Sequence, residues 1–171
     1  MAAALLVMSQ ANKLADFAAV HSDVSSDYYS WLLEQAATLR SRRHDLLDWD
    51  KLAEELESMA VREERELLSQ LKRLFVHLLK LQYQSRKRSR SWENSVDDAR
   101  ERVGDLLAAS PSIRNKTVES LEFIDKAYGR ARRQAGREMH LDEQQWDELF
   151  PKSCPWTAEL FLNDHFWPKT N

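Results

Sequence analysis

A chain of 171 residues, 31% of them charged and with a net charge of −3, is sized for one globular domain and is not a generally basic nucleic-acid coat protein. Its three glycines and four prolines are too few for the turns of a sheet protein, so composition points to an all-α fold. The single cysteine, Cys154, has no intrachain disulfide partner, which suits a reducing cytoplasm, and no apolar run is long enough to span a bilayer.

The opening MAAALLVM has no basic region ahead of its apolar run, so it reads as a frayed, poorly ordered extension over residues 1–25 and not as a secretory signal. A single helical domain is expected over 26–171. Asp27 precedes YYSWLLEQAATL, where Tyr28, Leu32, Ala36 and Leu39 fall at helical spacing and predict a first helix over 27–40. The basic RSRR at 40–43 suits the negative end of that helix's dipole.

Asp48 caps a second predicted helix that places Trp49, Leu52, Ala53, Leu56, Met59, Ala60, Leu67, Leu71, Leu74, Phe75 and Leu78 on one side and ends near Tyr83. It spans about 35 residues, or roughly 50 Å. Ser89 or Ser91 can open a third helix, in which Trp92, Val96, Ala99, Val103 and Leu106 step by four and three until about Ala109. Ser110 and Pro111 mark the start of a fourth, because proline at the first helical position forfeits no helical hydrogen bond. That helix carries Ile113, Leu121, Ile124, Tyr128, Ala131 and Ala135 and fades between Gly136 and His140. Four main helices on short links predict an antiparallel bundle.

The last thirty residues differ in kind. Three of the four prolines and the rings of Trp146, Phe150, Trp156, Phe161, Phe166 and Trp167 fall between 142 and 168. Disordered tails lack aromatics, so this stretch reads as an ordered strap over the bundle, with one helical turn after Thr157; a partner-binding tail is the alternative.

No glycine-rich phosphate loop, C-x-x-C, H-E-x-x-H or Glu-x-x-His pattern occurs, and no metal or cofactor is expected. His77 lies at the edge of the second helix's apolar stripe, where a structural histidine is the plain reading. Glu57 and Glu64, one heptad apart, project within about 50 to 70° of the stripe's centre. Carboxylates placed there need a partner, with Arg100, Arg114 and Arg132 as candidates; a polar ligand pocket or a metal are the alternatives.

The second helix also has uneven charge. Nine acids against three bases fall between Asp45 and Glu66, whereas seven Lys or Arg and no acid fall between Leu67 and Trp92. The basic end, HLLKLQYQSRKRSRSW at 77–92, reads as an elbow between two helices. At least one of Arg88 and Arg90 is expected to hold backbone carbonyls or a carboxylate of the first, second or fourth helix, with Trp92 largely buried. The competing reading is a phosphate grip in which Tyr83 and Trp92 stack bases.

DYYSWLLEQAATLRSRRHDLLDWDKLAEELESMA at 27–60, HLLKLQYQSRKRSRSW, SPS at 110–112, SCPWT and the closing FWP together resemble a bacterial family, common in cyanobacteria and proteobacteria, catalogued as domain of unknown function twenty-nine. The likeness covers about Asp27 to Pro168. It implies a compact, all-helical cytoplasmic protein and supplies no activity, cofactor or catalytic residue. Leu81 and Ser85 stand where the family often has tryptophan and proline, which implies a differently packed corner. The function expected is therefore a non-enzymatic interaction or accessory protein with a protein partner. The alternatives are a nucleic-acid-associated or regulatory protein using residues 80–92, and a small-ligand or metal site near Glu57, Glu64 and His77.

Overall fold

The computed structural model describes residues 27–170, so the expected extension at 1–25 lies outside the described residues. Every regular element among them is helical. The α-helices are α1 Tyr28–Arg40, α2 Trp49–Tyr83, α3 Arg90–Ala109, α4 Pro111–Thr117, α5 Leu121–Glu138, α6 Glu143–Leu149 and α7 Ala158–Phe161. The chain divides into two compact units, Met1–Ser58 and Met59–Asn171, and α2 runs through the boundary.

In the first unit, Asp27 caps α1 by accepting from the Ser30 amide at 3.0 Å and the Ser30 hydroxyl at 2.7 Å. The buried face differs from the expected one. Trp31 and Gln35 are buried, whereas Tyr28 and Leu39 are exposed. The shift has a polar cause: the Gln35 side-chain oxygen accepts from the Asp48 amide at 3.0 Å, which ties α1 to the start of α2. Asp48 in turn accepts from the Lys51 amide at 3.2 Å and caps α2 as expected. Helix α1 closes with Arg42 in the left-handed region, φ 57°, so that the Arg43 amide can reach the Thr38 carbonyl.

In the second unit, the expected stripe of α2 is buried from Leu67 onward, and Val96, Ala99, Val103 and Leu107 of α3 face it with Ile124, Ala127, Tyr128, Ala131 and Ala135 of α5. The expected fourth helix is two helices. The Thr117 hydroxyl donates back to the Ile113 carbonyl, competing with helix propagation, and Ser120 then caps α5 by accepting from the Phe123 amide at 3.3 Å. Helix α5 ends as α1 does, with His140 at φ 61° and the Leu141 amide bonded to the Gly136 carbonyl.

The C-terminal segment is built into this core. Asp142 and Gln145 form a reciprocal capping box that starts α6, and Thr157 caps α7. Phe150, Trp156 and Phe161 are buried, each contributing roughly 1.5 to 3 kcal/mol by removal from water. Phe75 of α2 meets Tyr128, Trp156 and Phe161 at ring centroid distances of 5.9, 6.1 and 5.0 Å, so three segments share one aromatic centre. Gly136 admits the Trp146 ring, since a Cβ there would lie 2.7 Å from it.

Candidate functional site

The basic elbow closes through its own backbone. The Gln84 amide donates to the Lys80 carbonyl at 2.8 Å, and a tight turn follows in which the Lys87 and Arg88 amides bond the Gln84 and Ser85 carbonyls. Of the last carbonyls of α2, that of Lys80 is thus met by a main-chain donor and not by arginine. Arg88 pairs instead with Glu93 of α3 at 2.6 Å and lies 5.5 Å from the Trp167 ring. The expected carboxylate contact exists, but it comes from the helix that follows the elbow and not from the first, second or fourth. Arg86, Lys87 and Arg90 are exposed, and Trp92 is half-buried.

Trp92 is covered from one side by Lys80, whose ammonium sits 4.3 Å over the ring and 2.7 Å from the Glu138 carboxylate. Gln134 donates to the other Glu138 oxygen at 2.9 Å. Burial alone would raise the Glu138 pKa, but the hydrogen bonds from Lys80 and Gln134 and the Lys80 charge outweigh it, so the carboxyl is held low. His77 stands beside this group. Burial first, then Lys80, lowers its pKa to about 4 against an opposing pull from Glu138, and its Nδ1 has no hydrogen-bond partner. An imidazole so weakly basic is poorly matched to general-base work near neutral pH.

Glu57 and Glu64 sit elsewhere. Glu57 belongs to the first compact unit, and Glu64 and His77 to the second. Glu57 is exposed, and the burial cost that called for a partner does not arise there; Glu64 is half-buried. Two of the arginines considered as partners are engaged by the C-terminal segment. Arg100, only 3% exposed, donates to the carbonyls of Phe161 at 3.0 Å, Asp164 at 3.4 Å and Phe166 at 2.6 Å. Arg132 donates to the Phe150 carbonyl at 3.1 Å and to Asp147 at 2.8 Å. Their signal in the sequence is an arginine standing inside an apolar stripe, with Val96 and Val103 about Arg100 and Tyr128 and Ala135 about Arg132.

Burial pushes the Cys154 thiol up to about 11, the reverse of what an activated nucleophile needs. A cleft beside Arg100 is lined by Asp97, Glu101, Asp105, Asp164 and His165, yet among the described residues no group of three or more His, Cys, Asp and Glu side chains is arranged to hold a metal ion.

A further surface feature is on α2. Its residues from Leu56 to Glu63 are all exposed. Trp49, Leu56 and Met59 are 55%, 61% and 54% accessible, and with half-buried Leu52 they follow the three-four-three spacing of a helix-pairing seam. Sequence reading placed these side chains on one apolar side of the helix with Leu67 and Leu71; at Trp49, Leu56 and Met59 that side is exposed.

This chain belongs to a family: residues 25–167 match Domain of unknown function DUF29. No curated protein and no solved structure matches it. Among the described residues, no helix is long and apolar enough to cross a membrane.

Proposed function

We propose that this is a non-enzymatic interaction protein of the cytoplasm whose working surface is the seam of Trp49, Leu52, Leu56 and Met59. The observation that carries the reading is the exposure of three large apolar side chains in register along one helix face, since contiguous apolar surface of this kind marks association sites. The lone, half-buried thiol of Cys154 suits a reducing compartment. The weakly basic His77 and the unreactive Cys154 speak against catalysis at either side chain.

A photo-crosslinking residue at position 56 in the native cell tests this. It should capture a discrete partner that the same residue at exposed Glu101 does not. Equal labelling at both positions, or none at 56, would refute it.

Exposed Arg86, Lys87 and Arg90 favour nucleic-acid association as the second reading. Anisotropy titration with short DNA and RNA at low salt decides it: binding that rises as salt falls and is lost in Arg86→Ala/Arg90→Ala would promote it above the first.

A further inference from the structure

From the elbow between α2 and α3, we infer that nucleic acid is held there by its phosphates alone, with no base stacked and no sequence read. The inference rests on the second reading above and adds how the polymer is recognised. Arg86, Lys87 and Arg90 are exposed, and among the described residues none of their side chains has a hydrogen bond or an ion pair. Arg88, which stands between them, is already paired with Glu93. Three unpaired cations thus fall within five residues, and the planar guanidinium fork of two of them matches the oxygens of a phosphate.

Holding the bases of a strand takes aromatic rings on which they can stack. The rings around these cations are engaged within the protein. Tyr83 meets buried Phe150 in a T-shaped contact at 5.2 Å. Trp92 is half-buried with the Lys80 ammonium 4.3 Å over its ring, and Glu138 fixes that ammonium in place at 2.7 Å. Trp167 has Arg88 at 5.5 Å and Arg100 at 5.3 Å. What the elbow offers a ligand is charge. An anionic membrane surface fits it less well, because the residues interspersed with the cations, Gln84, Ser85, Ser89 and Ser91, supply no apolar side chain to enter the interface.

The test uses the full chain and three labelled polyanions of equal length: a mixed-sequence single strand of DNA, its duplex, and an abasic strand with the same sugar-phosphate repeat. Fluorescence anisotropy should show the abasic and mixed-sequence strands binding within about twofold of each other, since stacking of even one base would separate them by about fivefold or more. Between about 50 and about 200 mM salt, affinity for the duplex should fall about 40-fold, as three neutralised phosphates require. In Arg86→Ala/Arg90→Ala, which leaves Lys87 alone at exposed positions where folding is not at stake, the fall should shrink to about three- to fourfold. An abasic strand bound about fivefold or more weakly overturns the inference and leaves the second reading standing. No binding to any of the three, or binding that Arg86→Ala/Arg90→Ala leaves unchanged, overturns both. Co-sedimentation with vesicles rich in anionic lipid, in a protein that takes none of the three, also overturns both and assigns the elbow to a membrane surface.

Discussion

From Leu56 to Glu63 every residue of α2 is exposed, whereas from Leu74 to Leu81 all but half-buried His77 are buried. The two stretches belong to one uninterrupted helix, so backbone geometry and propensity do not separate them. What differs is the company they keep. The later stretch is enclosed by α3, α5 and the C-terminal segment, and even Lys80 is drawn in there, with its charge met by Glu138 and its ammonium over Trp92. The earlier stretch continues the apolar repeat, and its side chains stay exposed. An amphipathic stripe is therefore a demand for a partner, and it does not say which partner answers.

The sharpest way to break this contrast is to truncate one side chain in each stretch. Phe75→Ala empties the aromatic centre and should cost about 3 to 5 kcal/mol, whereas Leu56→Ala should stay within about 0.5 kcal/mol. Denaturant melts of the two variants check it, and comparable losses would mean that the earlier seam is covered in the isolated protein.

A smaller effect separates two arginines. Arg100→Ala leaves three carbonyls of the C-terminal segment without their donor and should cost about 2 to 4 kcal/mol. Arg88→Ala removes a largely solvated pair with Glu93 and should cost no more than about 1 kcal/mol. The reverse order in thermal melts would restore the elbow arginine as the structural clasp.

The smallest effect is on pH. Because burial lowers the His77 pKa from 6.5 to about 4, the unfolded chain binds this proton more readily than the folded one between those values. His77 thus contributes its stability fully above pH 6.5 and loses it as pH falls toward 4, a loss of about 1 to 2 kcal/mol once solvent screening of a half-buried group is allowed for. The lowered carboxyl of Glu138 adds a loss of the same sign as pH falls through its own titration. His77→Gln should flatten the melting profile across that window; an unchanged slope would show that His77 titrates normally.

Much of the fold was legible along the chain. The bounds of α1, α2 and α3 follow from three-four spacing, from Asp27 and Asp48 as caps and from the approach to Ser110 and Pro111. The rings after residue 142 were read as ordered because their number suits burial, and Phe150, Trp156 and Phe161 are in the core. The break between α4 and α5 was missed, because a single hydroxyl bond from Thr117 and a cap at Ser120 decide it against a continuing apolar pattern. The candidate site was legible only in its residue types. Arg100 was expected only as a partner for Glu57 or Glu64; its acceptors lie 61 to 66 residues further along, and carbonyl oxygens leave no mark in a sequence.

By itself, then, the sequence determined where helices begin and end, since caps, proline and apolar period act between residues a few positions apart. It determined that α2 has one apolar side over its whole length and that its two ends differ in charge. Only the tertiary structure decided that the stripe is enclosed from Leu67 onward and open at Trp49, Leu56 and Met59. The physical reason is that burying a face requires a second surface brought up by distant chain. The segments that carry Phe150, Trp156 and Phe161 reach the later part of α2 within the second unit, whereas Trp49 and Leu56 in the first are exposed.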